Sequence, residues 1–348
     1  MADVDRLVRE RARALGFDRV GVASASEPIE PDFARYQAFI EAGKHGKMEY
    51  LARPPDARKR LDTSAILEGA QSVICVAESY AGTDAQAEGG IVRHVARYAR
   101  GGDYHNHLRR RVRKLAAFVR TLGEGTRARP MSDDAPVLER AWASRAGLGF
   151  IGKNGLVIAP GVGSFLLLGE VVTTLRLAPD VPMAERCGSC SLCLDACPTG
   201  AFDAPFVLDP RRCVSYLTIE LRGAMPEELR AGVGEKLFGC DDCQDVCPYN
   251  RRREEPKQRY LPLARLRDTS LEGLVDLDEE TWKALAEGSA LKRATRAGLA
   301  RNAITVLANR REPRYRPLLQ RTARDHPDEA VRAHALWGLA LLDEAIRS

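Results

Sequence analysis

Eight of the nine cysteines in this 348-residue chain lie between positions 187 and 247, and their spacing constrains the fold more than any other feature. They are Cys187, Cys190, Cys193, Cys197, Cys213, Cys240, Cys243 and Cys247. The first four follow the pattern C-x2-C-x2-C-x3-C-P, in which three close thiolates hold one four-iron cube and the fourth cysteine ligates a second cube. The segment therefore predicts a compact module with two [4Fe–4S] clusters.

The second half of the cysteine segment repeats this pattern imperfectly. A full repeat ending at Cys247 would place a cysteine at position 237, where the chain has Leu237. Cys213 is the candidate for the missing thiolate. We therefore assign one cluster to Cys187, Cys190, Cys193 and Cys247, and the other cluster to Cys197, Cys213, Cys240 and Cys243.

Two other uses of cysteine explain the pattern less well. Structural zinc sites take four ligands in separated pairs, which does not account for two C-x3-C-P endings. Disulfides form in oxidising compartments, whereas the charged N-terminus has no apolar segment of a secretory signal. No apolar run approaches the length of a membrane span. We therefore expect a cytoplasmic protein without membrane contact.

The basic residues are distributed unevenly. The net charge is +5, yet the segment from Lys292 to Arg324 has ten Lys or Arg residues and one acid, Glu312. Such a basic segment predicts either a polyanionic partner or a solvated helical face. Charge alone leaves both possibilities open.

Hydrophobic periodicity divides the chain into three predicted domains. Residues 1–178 predict a mixed α/β domain, with strands near 17–24, 71–77 and 163–174 and a basic loop at 53–63. Residues 179–255 contain the cysteines. In residues 256–348, the segment 299–308 matches 331–340 at an offset of 32, which predicts a pair of HEAT-type helical repeats.

Several segments of the first domain have the composition of a site. Residues 97–107 contain two tyrosines, two histidines and two arginines around a glycine pair, which suits the rim of a site better than a core. Asp133 and Asp134 follow a predicted strand, where such a pair can cap a helix or donate a proton. The glycines of 147–155 permit close approach of backbone to a ligand. Cys75, inside an apolar strand, is expected in the core.

The size of the chain bears on its function. Two clusters carry single electrons, and a protein that only transfers electrons needs far fewer residues. The α/β domain and the basic C-terminal part therefore predict a reductase whose clusters feed a second redox centre.

The motifs resemble those of the epoxyqueuosine reductase family along nearly the whole chain. They are the Cys187 run, Asp133-x-Ala-Pro-x-Leu-Glu-Arg, Gly147-Leu-Gly-Phe-Ile-Gly-Lys, Gly163-Ser-Phe, Arg212-Cys-Val-Ser-Tyr-Leu-Thr-Ile-Glu and Gly239-Cys-Asp-Asp-Cys-Gln. The resemblance implies an α+β fold with a reductive-dehalogenase-like cobalamin-binding α/β domain, a ferredoxin-like two-cluster domain and C-terminal HEAT-like helices. It also implies reduction of epoxyqueuosine to queuosine at the wobble position of tRNA, with loss of water, by cobalamin that the clusters reduce.

The resemblance also implies residue roles. Asp133 falls at the proton donor, and we expect burial near the corrin to keep it protonated; Asp134 is a competing acid. Half of a histidine-ligand signature is present as Asp103-Tyr-His105, with Leu108 in place of glycine, and we interpret it as unrelated to cobalt ligation. The cofactor-binding candidates are Arg60, Tyr98, Asp133, Lys153, Ser164, Ser215, Asp241 and Asp242. The tRNA-binding candidates are Arg222, Lys292, Arg293, Arg310, Arg311 and Arg314.

The implied partners are the anticodon stem-loop of tRNA and an external electron donor, with the protein as a monomer. Two alternatives remain at this point. A ferredoxin-type electron-transfer protein would contain iron and sulfide without a corrin. A corrinoid reductive dehalogenase would contain cobalamin and be unaffected by tRNA.

Overall fold

The first part of the chain is built on an antiparallel sheet in the computed structural model, which describes residues 2–82, 87–133, 135–251 and 257–347. Its elements are α1 (Ala2–Ala14), β1 (Arg19–Ser24), α2 (Glu30–Glu41), α3 (Pro54–Leu61), β2 (Ser72–Ser79), α4 (Tyr104–Val119), β3 (Ala128–Met131), α5 (Glu139–Arg145), β4 (Phe150–Ile151), β5 (Val157–Ile158) and β6 (Leu166–Thr173). The sheet has four strands in the order β1–β2–β6–β3. Every neighbouring pair in it is antiparallel.

Helices cover both faces of this sheet. Ile74 and Val76 of β2 pack with residues of α1 and α4, while Val73 and Cys75 pack with Trp142 of α5 on the other face. A strand buried on both faces needs apolar residues at consecutive positions, which is why β2 is recognisable from the sequence. Cys75 has no exposed surface, so its predicted place in the core is confirmed.

The predicted loop at residues 53–63 is wrong, because residues 54–61 form α3. Proline is compatible with the first turn of a helix, where the missing N–H has no intrahelical acceptor, so Pro54 begins α3 rather than preventing it. The helix places Arg60 in a buried position against the ring of Tyr36 from α2, at 5.3 Å from its centroid.

The cysteine-rich part consists of short elements. They are α6 (Leu192–Asp195), β7 (Phe202–Ala204), β8 (Val207–Leu208), α7 (Val214–Ile219), α8 (Glu227–Val233) and α9 (Asp242–Asp245). The two helices that carry the C-x2-C spacings, α6 and α9, pack against each other. The short helices thereby bring cysteines that are about fifty residues apart in the chain into one module.

The C-terminal part is helical, with α10 (Ala264–Asp268), α11 (Glu279–Ala286), α12 (Arg296–Asn309), α13 (Arg316–Asp325) and α14 (Glu329–Arg347). Helices α12 and α13 both pack on α14. The small residues Ala303 and Ala335, which the internal match aligns, are both fully buried there. The same core includes Val95 and Phe238, so the C-terminal helices pack directly on the two preceding parts. The predicted boundary at 255/256 lies outside the described residues.

A buried ion cluster joins the segment after the cysteines to the central sheet. Glu78 of β2 has no exposed surface and forms ion pairs with Arg111 of α4 and with Arg259, and Lys257 Nζ lies 3.6 Å from it. A buried carboxylate requires such partners, since an unpaired charge in the interior is strongly unfavourable. None of the described helices has the length and apolar character needed to cross a membrane.

Candidate active site and iron–sulfur centres

Four cysteines line one cavity of about 300 Å³. They are Cys187, Cys190, Cys193 and Cys247. Burial raises the pKa of the Cys187 thiol to about 11. The pKa of Cys193 is also raised, first by burial and then by the neighbouring thiols of Cys247 and Cys190. Because the four cysteines line the same cavity, their sulfur atoms surround a common volume.

The other four cysteines form a second group. Burial raises the pKa of Cys213, and the thiol of Cys197 adds to the rise. The pKa of Cys243 is raised by burial and then by Cys240, Cys213 and Cys193, in that order. Cys193 lies on α6 and Cys243 on α9, and these helices pack against each other, so the two groups are adjacent. Electrons could therefore pass from one group to the other over a short distance.

This arrangement fits two four-iron cubes. All nine cysteines lie in the described part of the chain and are free thiols. Within that part, no three His, Cys, Asp or Glu side chains converge closely enough to hold a single metal ion, and four of the cysteines instead line a cavity. Leu237, at the position of the missing repeat cysteine, is fully buried in the C-terminal core. The two groups match the ligand sets assigned from the sequence, and that assignment stays a prediction.

Asp133 lies in a strained loop directly after β3. Its φ of +36° is outside the range that L-residues usually adopt, although aspartate tolerates it better than most. The helix cap considered for this residue is wrong, because α5 begins after Leu138 without a side-chain cap. The Asp133 N–H instead donates to Glu139.

The carboxylate of Asp133 is held by two side chains of one helical turn. Tyr104 Oη donates to Asp133 Oδ2 at 2.9 Å, and His105 Nε2 contacts the same oxygen. The two rings stack with their centroids 4.1 Å apart. Both residues are in the first turn of α4, whose start is fixed by Asp103, which accepts from the His105 N–H. Segment 97–107 thus contributes Tyr104 and His105 to the surroundings of Asp133, whereas Arg97, Ala99 and Arg100 of the same segment are buried.

The expectation that Asp133 is protonated is wrong for this arrangement. Burial acts to raise the pKa of Asp133, but the hydrogen bonds from His105 and Tyr104 outweigh burial and lower the pKa below its usual value. The side chain is also 38% exposed, so its charge is partly solvated. Asp134, the competing acid, lies outside the described residues.

His105 is the site residue that the sequence reasoning missed. Burial acts to lower its pKa, but hydrogen bonds with Asp103 and Asp133 prevail and raise the pKa to about 9. One signal in the sequence points to this site, because aromatic and ionisable residues are concentrated around Asp103 and His105. The pattern predicts the rim of a site there, but it assigns no proton-carrying role to His105.

A second residue near Asp133 was also missed. Glu170 of β6 is fully buried, and neither carboxylate oxygen has a hydrogen-bond partner among the described residues. Burial, followed by the charge of Glu139, raises the pKa of Glu170 well above its usual value. Glu170 lies opposite Cys75 in the sheet.

Of the predicted tRNA-binding residues, Arg293 lies within electrostatic reach of Asp133, and Lys292 and Arg222 lie next to Arg293. The charge of Arg293 acts on Asp133, and its side chain binds Glu220 and donates to Tyr50 Oη at 2.8 Å. Lys292 acts on Asp103. Arg222 donates to the Arg293 carbonyl oxygen at 2.7 Å. The C-terminal part thus contributes cations to the surroundings of this carboxylate.

The other three lie elsewhere. Arg310 contacts Glu235 at 3.3 Å and Tyr315 at 3.1 Å, and only 14% of its side chain is exposed. Arg314 pairs with Glu312 at 2.6 Å. Arg311 follows Arg310 at a φ of +52°. The structure does not bring these residues to Asp133.

Two cofactor-binding candidates lie at the cysteines. Lys153 Nζ donates to the carbonyl oxygens of Gly188 at 2.6 Å and Cys190 at 2.9 Å. Ser215 donates to the Cys213 sulfur through its N–H and its hydroxyl group, which lowers the pKa of that thiol against the effect of burial. Both residues therefore support the loops that carry cluster ligands.

Three further candidates are bound to protein side chains. Ser164 Oγ lies 3.2 Å from Gln244 Oε1. Asp241 accepts from Arg97 at 3.1 Å, and Asp242 pairs with Lys236 at 2.9 Å. Tyr98 packs among aromatic rings, because its ring centroid lies 5.7 Å from that of Tyr104 and 6.3 Å from that of Phe238.

Arg60 is the candidate with an unmet donor. It is buried, and its Nε has no hydrogen-bond partner among the described residues. A buried N–H without an acceptor fits a ligand that is rich in amide or phosphate oxygens. Cobalamin is such a ligand, so this residue fits the implied cofactor.

Comparisons with known proteins agree with this site. A family model described as "4Fe-4S double cluster binding domain" matches residues 186–250, and one for epoxyqueuosine reductase (QueG, DUF1730) matches residues 60–134. Epoxyqueuosine reductase of Pseudomonas aeruginosa is 39% identical over 95% of this chain and 92% of its own length. The Escherichia coli enzyme is 36% identical over 96% and 88%.

A solved structure extends the likeness to the fold. The crystal structure of epoxyqueuosine reductase with an epoxyqueuosine-modified tRNA-Tyr stem loop has a TM-score of 0.89 and 30% identity, covering 98% of this chain and 90% of that one. These matches extend over nearly the whole chain. The chain therefore belongs to the epoxyqueuosine reductase family.

Proposed function

We propose that this protein reduces epoxyqueuosine to queuosine at the wobble position of tRNA and releases the epoxide oxygen as water. The observation that carries the proposal is the arrangement at Asp133, where an acid, a charged histidine and C-terminal cations meet in a chain of this family. The reaction needs a proton donor at the departing oxygen and electrons from a redox centre. The chain has residues for both.

The electrons are supplied by two [4Fe–4S] clusters and cobalamin. The two cysteine groups would hold the clusters. Arg60 and Tyr98 are cobalamin-binding candidates that lie outside the loops carrying the cluster cysteines. Cobalamin, when bound, would supply the two electrons that the reduction consumes. An external electron donor would re-reduce the clusters.

Asp133 is the residue that delivers a proton to the departing oxygen. Its loop position, its partial exposure and its fixed carboxylate suit a group that must meet a substrate. Because its pKa is lowered, the carboxylate must first acquire the proton that it delivers.

The tRNA stem-loop is bound by the cations beside Asp133, with Arg222, Lys292 and Arg293 as the proposed contacts. Arg293 is 44% exposed, so it can meet a phosphate while it keeps its contact with Glu220. Proteins that recognise RNA loops take an unstacked base into a pocket, and phosphate contacts hold the loop in position. Arg310, Arg311 and Arg314 would contact tRNA only further from the reacting base.

The remaining features of the proposal concern organisation. The domains span residues 1–178, 179–255 and 256–348, the last with HEAT-like repeats, which the packing of α12 and α13 on α14 supports. The reductive-dehalogenase-like character of the first domain stays a prediction. We also propose a monomer that acts in the cytoplasm.

The test is conversion of an epoxyqueuosine stem-loop by reconstituted protein under anaerobic conditions. We expect queuosine from the wild-type protein and at least a 100-fold loss in Asp133→Ala, as for removal of a general acid. Asp134→Ala is the matched control and should keep most of the activity. Iron without cobalamin uptake would favour an electron-transfer protein, and turnover of a halogenated substrate without tRNA would favour a dehalogenase.

A further inference from the structure

Asp103, His105 and Asp133 form a line of hydrogen bonds. His105 Nδ1 lies 2.7 Å from Asp103 Oδ1, and the opposite ring nitrogen, Nε2, contacts Asp133 Oδ2. Each nitrogen of one imidazole thus faces a different carboxylate. Only the protonated ring can donate to both, because a neutral imidazole has a single N–H.

The charges around the imidazole favour the protonated ring. Its direct neighbours are the two carboxylates, and the pKa of His105 is raised to about 9 by them against the effect of burial. The pKa of Asp133 is lowered by the same contact, after burial, which acts in the opposite direction. The other charged groups that bear on the line are Lys292 beside Asp103, and Arg293 and Glu139 beside Asp133. At pH 7 the proton is therefore on His105.

The proposed reaction requires more than one proton. Removing an epoxide oxygen as water breaks two C–O bonds, forms one C=C bond and consumes two electrons and two protons. The redox centres supply the electrons. One carboxylate delivers one proton at a time, so Asp133 must be protonated again during each turnover.

We propose that His105 stores the proton that Asp133 delivers, and that Asp103 holds the ring in the orientation for this transfer. The N–H bond at Nε2 breaks as an O–H bond forms on Asp133 Oδ2, and the imidazolium becomes neutral imidazole. Water then returns a proton to the ring, whose side chain is 22% exposed. His105 is thus a positioning residue that acts through Asp133, and this inference rests on the proposed function.

Two variants and a control test the store. Asp103→Asn removes a charge while keeping a residue suited to the N-cap of α4, and His105→Gln removes the proton carrier. His107→Gln, on the same helix, is the matched control. Wild-type turnover should be constant below the pKa of His105 and fall as pH rises through about 9, since the store is then empty.

The expected changes differ between variants. His105→Gln should lower turnover by on the order of 100-fold and abolish the alkaline fall. Asp103→Asn should move the fall to lower pH by about one unit, the usual effect of one adjacent charge. The control should match wild type. An unchanged alkaline fall in Asp103→Asn, or full turnover in His105→Gln, would overturn the inference.

A second readout does not depend on turnover. Nitrogen NMR of 15N-histidine-labelled protein should show one imidazole that titrates near pH 9, that is missing from His105→Gln and that titrates at lower pH in Asp103→Asn. A histidine signal at position 105 that titrates below pH 7 would refute the proposal that His105 stores the proton. If the NMR result holds but no variant or wild-type sample converts the stem-loop, the proposed function fails and the protonated His105 does not.

Discussion

Replacing Cys213 by alanine gives a direct test of the cluster assignment. Cys213 is the cysteine that departs from the repeated spacing, and its thiol lies with those of Cys197, Cys240 and Cys243. Cys213 is the N-cap residue of α7, and alanine keeps the backbone there while it removes the thiolate that accepts from Ser215. The Cys213→Ala protein should therefore fold with one complete set of four ligands and one incomplete set.

The magnitude follows from the ligand count. A [4Fe–4S] cube takes four thiolates, so eight cysteines hold about eight irons, and loss of one ligand from the second group should lower the count toward about four. Iron and sulfide analysis after anaerobic reconstitution measures this change. Electron paramagnetic resonance of the reduced protein should keep the signal of the first cluster and lose its coupling to the second.

Two further variants make the test specific. Cys75→Ala removes the ninth cysteine, which is buried in β2, and should keep about eight irons. Adding Leu237→Cys to Cys213→Ala should not restore the cluster, because position 237 is fully buried in the C-terminal core. About eight irons in Cys213→Ala, or recovery in the double variant, would refute the assignment of Cys213.

Two other perturbations test the fold and the tRNA contacts. Glu78→Gln leaves Arg111 without its buried carboxylate and should lower the free energy of unfolding by about 3–5 kcal/mol in chemical denaturation. The control, Asp276→Asn, removes an exposed ion pair and should lower it by at most about 1 kcal/mol. Equal effects of the two variants would refute a special role for the buried ion cluster. Arg293→Gln should weaken stem-loop binding and reduce its salt slope by about 0.7. Arg314→Gln should have the smaller effect on both, because Arg314 lies further from the reacting base, and the opposite ranking would place the RNA loop on the Arg314 side.

Much of the architecture was predictable from local patterns. The cysteine spacing, the buried strand around Cys75 and the aligned alanines Ala303 and Ala335 each depend on residues close together in the chain. Patterns fail where context decides, as at α3, where a proline pair read as a loop begins a helix. The buried Arg301 shows the same limit, because it lies in the basic segment but is 2% exposed and donates to backbone carbonyls.

The candidate site divides in the same way. Asp133 was identified from its motif, but its protonation state was not, because that depends on His105, which is 28 positions away in the chain. The cations beside Asp133 come from still further along the chain, at Lys292 and Arg293. Such pairings depend on how α4 and the C-terminal helices pack, and no local pattern records them.

The sequence by itself determined the family and the presence of a two-cluster module. It also predicted the two ligand sets and Asp133 as the acid, since ligand spacing and motifs are properties of neighbouring residues. Only the tertiary structure decided the charge at the acid and which cations accompany it. The physical reason is that a pKa reflects burial and hydrogen bonds among groups within a few ångströms in space, and for Asp133 those groups come from α4 and from the start of the C-terminal helices.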